Sequence, residues 1–203
     1  MINDEVKNVI DHCLNPYVIG KCYIQQVQEE FTILSYFLKS FQPHNILEIG
    51  CKGGTFYMFN EFSTGKKIGV DIGDEYKLNM YFYTRGHDFT FIHANSQLPE
   101  TANLVKNYCD SFDFIFIDGD HSYEGVRRDF ELYKSMLSPR GYIAFHDIDP
   151  NHVFKDGPGG QVYKFWKDIN YGSKTEIICT KSTANYSMGQ FTEHYGGIGL
   201  WKP

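Results

Sequence analysis

Two short runs concentrate the side chains of this 203-residue chain that can do chemistry: Asp118-Gly119-Asp120-His121 and His146-Asp147. Carboxylates delivered from two such runs suit a divalent cation. Hard ions such as magnesium take oxygen ligands in an octahedron and usually keep several waters. An imidazole nitrogen in the set moves the preference towards manganese, iron or zinc. Asp118, His146 and Asp147 are therefore candidate metal ligands. Further upstream, Glu48 precedes Gly50, Gly53 and Gly54. That spacing lets the backbone turn sharply and come near a ligand without Cβ atoms in the way. A carboxylate beside the turn repels phosphate and suits a cationic or hydroxyl-bearing ligand.

Strands must deliver these groups. Ile46, Leu47 and Ile49 form an apolar run of the kind that makes a buried parallel strand, and Thr55 to Phe62 resumes as a helix, so the glycines sit at a strand-to-helix turn. Ligands of open α/β sheets bind there, beyond the carboxyl ends of the strands. Lys67 to Asp71 is a second strand. Its terminal Asp71 lies about 20 residues past the turn, where an acid can take the ribose hydroxyls of an adenosine. Glu75 to Arg85 reads as a helix, and Phe89 to His93 as a third strand followed by Ala94-Asn95-Ser96. Asp113 to Ile117 is a fourth strand ending at Asp118. A helix marked by Val126, Phe130, Tyr133 and Leu137 follows, with Ser122 as its cap. Pro139-Arg140-Gly141 is a turn, and Tyr142 to Phe145 is a fifth strand ending at His146-Asp147. Gly157 to Gly160 makes a flexible loop. Val162, Phe165, Trp166 and Ile169 define another helix before strands at Glu176–Thr180 and Gly197–Trp201. In front of all this, Val6, Val9, Ile10 and Cys13 share one helical face. Ile24, Val27, Phe31, Leu34, Leu38 and Phe41 share another, after a break at Asn15-Pro16. The expected fold is α/β: a Rossmann-like, doubly wound, seven-stranded sheet, mostly parallel with an antiparallel last strand inserted at one edge, plus N-terminal helices. It forms one domain, residues 1–203, with 1–42 as a helical cap and 43–203 as the core.

Glu48-Ile49-Gly50-Cys51-Lys52-Gly53-Gly54 resembles the first motif of the class I S-adenosylmethionine-dependent methyltransferases, commonly E/D-x-G-x-G-x-G, with Lys52 in place of the middle glycine. The run from Ile117 to Asp147 resembles the branch containing small-molecule O-methyltransferases of sugar and antibiotic tailoring. The likeness covers about Gln25 to Trp201. It implies S-adenosyl-L-methionine held by Glu48, Gly50, Lys52, Gly53, Asp71, Ile72, Asn95, Ser96 and Asp118, with Asn95 and Ser96 on the adenine side. It also implies a magnesium or manganese ion on Asp118 and Asp147, in a position where relatives often carry an acid or amide in place of His146, and His121 as the catalytic base beside Asp118. An ordinary polar turn is the alternative for Asn95 and Ser96, and catalysis without metal is the alternative for the acids. Two other functions stand beside O-methylation: an NAD-type oxidoreductase, disfavoured by Glu48, and a catalytically silent binding protein on the same fold.

Composition sets the outer bounds. Hydrophobic content of 42% and aromatic content of 17% are those of a packed globular protein. The net charge of −6 argues against nucleic acid or an anionic membrane as partner. Met1 to Leu14 lacks the order of a signal peptide, and no apolar run approaches the roughly 20 residues needed to span a bilayer. Five scattered cysteines form neither a disulfide framework nor a zinc spacing. A cytoplasmic protein acting on a small-molecule substrate is expected, with a homo-oligomer left open.

Overall fold

A computed structural model describes residues 3–13, 27–51, 54–73, 89–151, 160–179 and 196–203. Seven strands form one sheet: β1 (Ile46–Ile49), β2 (Lys67–Asp71), β3 (Thr90–His93), β4 (Phe112–Ile117), β5 (Leu137–His146), β6 (Ser173–Ile177) and β7 (Ile198–Lys202), in the order β3-β2-β1-β4-β5-β7-β6. Pairing is parallel from β3 through β5, and β7 runs antiparallel to both of its neighbours. The last strand is thus antiparallel as expected, but it lies one place in from the edge, with β6 outermost.

Alternating side chains divide the core into two layers. Ile46, Phe114, Phe116, Ala144, Ile198 and Leu200 face α1 (Asp4–Cys13), α2 (Gln28–Phe41) and α3 (Gly54–Glu61). Leu47, Ile49, Val70, Ile115, Ile117, Ile143 and Phe145 face α4 (Pro99–Tyr108), α5 (Tyr123–Tyr133) and α6 (Val162–Asp168). A parallel sheet covered on both faces explains why β1 and β4 are buried along their whole length. Among the described residues, no helix is long and apolar enough to cross a membrane.

Several sequence expectations need adjusting. Pro139-Arg140-Gly141 is not a free turn. It is absorbed into β5, where five steps from Leu137 to Tyr142 oppose two from Phe112 to Phe114, so the surplus residues bulge while pairing continues on either side. The sixth strand starts three residues earlier than expected. Only Ile177 of β6 is buried, and a hydrogen bond from Trp166 Nε1 to Glu176 Oε1 (2.6 Å) helps fix the strand's place. Helix α4 was not anticipated, although Pro99 at its first turn, Glu100 beside it and buried Ala102 and Val105 are the usual signals. The expected helix at 75–85 and most of the 157–160 loop lie outside the described residues.

The chain switches direction across the sheet between β1 and β4, and this sets the ligand-binding edge. There the β1 turn presses on the end of β4. Gly50 has φ +84°, and a Cβ at that position would fall 2.1 Å from the Asp118 carbonyl oxygen. The glycine is needed for contact between two backbones, whatever ligand lies above it. Gly50→Ala is expected to destabilise the fold by more than the roughly 1–3 kcal/mol of a strained backbone alone. Urea unfolding checks this, and a loss under 1 kcal/mol would contradict the close approach.

Candidate active site

Asp118, His121, His146 and Asp147 meet at the carboxyl edge of β4 and β5. Each acid follows directly on a buried strand, and the parallel register of Ile117 with Phe145 brings the two ends side by side. Asp147 turns out of β5 with φ +64°, a left-handed backbone that a short polar residue tolerates best. His121 bridges the carboxylates: its Nε2 lies 3.2 Å from Asp118 Oδ1 and its Nδ1 2.9 Å from Asp147 Oδ2. His146 approaches from beneath with Nδ1 3.1 Å from Asp118 Oδ1 and 3.1 Å from Asp147 Oδ1.

Electrostatics follow from this packing. Burial alone would push Asp118 up, but the charge of His146 and hydrogen bonds from both imidazoles outweigh it and hold the carboxyl well below its usual range. Burial lowers the affinity of each histidine for its proton, and the paired carboxylates more than reverse that. His121 is raised to about 11 and His146 to about 9. Both rings are therefore cationic at neutral pH when no other cation is present. Taken as ligands, donor atoms of Asp118, His121 and Asp147 all lie within 4.8 Å of one another, which fits a divalent ion. His146, read from the sequence as a ligand, is buried with Nδ1 turned to both carboxylates and is not one of those three.

The candidate cofactor residues spread along the same edge. Glu48 is buried on β1, accepting a hydrogen bond from the Thr55 hydroxyl, and burial drives its pKa up to about 8 with repulsion from Asp118 and Asp71 adding to it. Asp71 ends β2, with Oδ1 accepting from Gly73 N at 2.8 Å, and Ile72 beside it is 74% exposed. Asn95 Oδ1 accepts from Gln97 N at 2.9 Å, the polar strand-end turn weighed as its alternative, and the Ser96 carbonyl accepts from Tyr133 Oη. Lys52 and Gly53 lie outside the described residues. Two buried polar residues at this edge were missed. Thr55, which braces Glu48, gives little signal in sequence. Glu30 gives a clearer one: it falls on the apolar stripe of α2, three residues after Val27 and four before Leu34, and is completely buried.

The family model described as a methyltransferase domain matches residues 47–148, half of the chain. The chain belongs to the methyltransferase-domain family. This agrees with the class I resemblance and sets aside the oxidoreductase alternative. An O-methyltransferase from Bacillus cereus, solved in complex with SAH, superposes with a TM-score of 0.65 at 17% identity, covering 98% of this chain and 90% of its own. MycE, a methyltransferase of the mycinamycin pathway solved with Mg, SAH and mycinamycin VI, gives 0.60 at 16% identity, covering 98% and 54%. At these identities the likenesses establish the Rossmann-like methyltransferase fold. An uncharacterised protein of Sinorhizobium fredii, y4gI, is 24% identical over 148 residues, which are 66% of this chain and 16% of the relative. The chain thus spans under a fifth of that relative's length.

Stability should carry the signature of the buried charges. His121 and His146 bind protons more tightly folded than unfolded, so their contribution is complete below about 6.5 and is lost as pH rises through about 9 and 11. Glu48, raised from 4.5 to about 8, loses its contribution as pH rises from about 4.5 through 8. Asp118 acts oppositely, stabilising above its ordinary 3.8 and losing that as pH falls below it. The melting temperature should therefore be highest near roughly pH 4 to 4.5 and decline towards pH 9.5, more steeply above about pH 6.5, where the imidazoles add to the loss from Glu48. A melting temperature that stays level from pH 6.5 to 9.5 would show that the imidazoles are not ion-paired as described.

Proposed function

We propose that the protein transfers a methyl group from S-adenosylmethionine to a hydroxyl oxygen of a small molecule, a sugar or natural product, assisted by a divalent cation. The observation that carries this reading is the convergence of Asp118, His121 and Asp147 at the switch point of a methyltransferase-family sheet. Likeness to an O-methyltransferase solved with SAH, and to MycE solved with Mg, supports oxygen as the acceptor and magnesium as the ion. It is a reading for a cytoplasmic enzyme whose residues 1–42 cap the core, acting on small molecules and not on nucleic acid, in keeping with the charge of −6.

S-adenosylmethionine would supply a sulfonium methyl to the acceptor oxygen, with S-adenosylhomocysteine as the leaving group. Asp71 takes the ribose hydroxyls, Asn95 and Ser96 line the adenine side, and Glu48, Gly50 and Ile72 shape the floor between. Lys52 and Gly53 belong to the same set by sequence. Asp118 and Asp147 would hold the cation, whose charge would lower the cost of deprotonating the acceptor hydroxyl. His121 would receive that proton. With both carboxylates uncompensated, its raised pKa keeps it protonated and unable to act as a base. Once a cation draws charge from Asp118 and Asp147, the same ring loses the two interactions that raised it and becomes a competent acceptor.

S-adenosylmethionine or its demethylated product should bind at micromolar level in calorimetry, and NAD should not. Asp71→Ala should weaken that binding by about 1–3 kcal/mol, the cost of leaving polar partners unpaired. Unchanged affinity in the variant would place the ribose elsewhere.

Asp118→Asn and Asp147→Asn should each abolish the response of turnover to metal, and the double variant should lose little more, because groups acting as a unit are not additive. His121→Ala should still bind Mn²⁺ yet lose roughly 10²–10⁴ in rate. Loss of Mn²⁺ binding in that variant would make His121 a third ligand. Full methyl transfer in EDTA would remove the cation from the reaction altogether.

A further inference from the structure

Glu30 lies where an apolar side chain would be expected. Its neighbours on α2, Phe31, Leu34 and Leu38, are fully buried hydrophobics, and Glu30 is as buried as they are. An isolated carboxylate in such a place costs several kcal/mol unless charge and hydrogen bonds compensate it. Three kinds of partner do so. Cys179 N donates to Oε1 at 3.0 Å, and Gly197 N donates to Oε2 at 2.9 Å. These residues follow β6 and precede β7, so one carboxylate joins both strand ends to the N-terminal helix. The first turn of α2 contributes its favourable dipole end. The third partner is His146. Burial raises the Glu30 pKa and Asp149 adds to this, while the two N–H donors and the nearby imidazole oppose it.

The approach of Glu30 to His146 is visible at Gly196. A Cβ built there would fall 3.0 Å from His146 Nε2 and 3.2 Å from Glu30 Oε2, so ring and carboxylate converge on the same small residue. His146 Nε2 is buried and makes no hydrogen bond among the described residues, while Nδ1 is committed to Asp118 and Asp147. One imidazole thus faces active-site carboxylates with one nitrogen and the Glu30 side with the other.

We infer that Glu30 is a positioning residue: from α2 it holds the chain at Cys179 and Gly197 behind His146, and so fixes the ring that orients the Asp118 and Asp147 carboxylates. This rests on the proposed site in part, because the consequence for metal binding presupposes a cation there. The consequence for the ring does not.

The test compares wild type with Glu30→Gln, which keeps the volume but removes the charge, and with Gly196→Ala, which inserts a methyl between the two groups and leaves both intact. Gly196 is not in a left-handed conformation, so alanine adds only that methyl. Glu5→Gln on the solvent face of α1 serves as a control. Three quantities are read at pH 7: the ¹H–¹⁵N signals of the His146 ring, Mn²⁺ affinity by electron paramagnetic resonance, and SAH affinity by calorimetry. Both variants should stay folded, shift the His146 ring signals and bind Mn²⁺ about 10–100-fold more weakly, as displaced outer partners of metal ligands do. SAH affinity should stay within about twofold. Ring signals identical to wild type in both folded variants would overturn the inference, as would equal weakening of SAH and Mn²⁺ in step with lost melting temperature. If wild type binds no Mn²⁺, the metal reading fails, while the ring signals still decide the role of Glu30.

Discussion

Two carboxylates, Asp118 (half-buried) and Asp147 (buried), lie side by side at the edge of the sheet, and much of the local architecture answers the cost of putting them there. Like charges at such separation cannot both ionise in a poorly solvated site without compensation. His121 spans them from above and His146 from below, giving each acid two imidazole contacts. The left-handed backbone at Asp147 and the glycine at position 50 are local consequences. The first turns the β5 carboxylate back toward β4, and the second lets the β1 turn close against the Asp118 carbonyl.

Any cation entering here would meet this balance. With both imidazoles protonated, the cluster is near neutrality and His121 occupies the space between the acids. A divalent ion there competes with protons on the rings, so metal uptake and proton release are coupled through the same four side chains.

The opposite layer braces the loops on the cofactor side. Arg128 Nε donates to the Gln97 carbonyl (2.7 Å), Tyr133 Oη to the Ser96 carbonyl (2.9 Å), and Gln97 Nε2 to Asp120 Oδ2 (2.8 Å). Ser122 caps α5 by accepting from Gly125 N. These bonds tie the loop after β3 to the turn after β4 through one helix. Asp129, buried on that helix and pushed up to about 7 by burial, lies beneath the same junction. These loops are held mostly by side-chain-to-backbone hydrogen bonds, with one between side chains at Gln97 and Asp120.

Sequence alone determined the elements whose signals are local: the buried runs that became β1, β2 and β4, the acids at their ends, the Ser122 cap and the glycine turn. Apolar alternation, capping and turn chemistry act over a few residues and can be read from neighbours. Elements whose state depends on distant pairing were harder. Pro139-Arg140-Gly141 has the local chemistry of a turn, yet pairing of the flanking residues with β4 carries the strand through it. Edge strand β6 lacks an alternating pattern because only one of its residues is buried. At the site, sequence brought Asp118, His121, His146 and Asp147 into one list, and only the tertiary structure decided which nitrogen faces which carboxylate. That depends on strand register and on one left-handed residue, neither of which leaves a mark in composition or spacing. Glu30 shows the same division. Its place on an apolar stripe was legible, but its partners lie 149 and 167 residues away in the chain, and only folding brings them within reach.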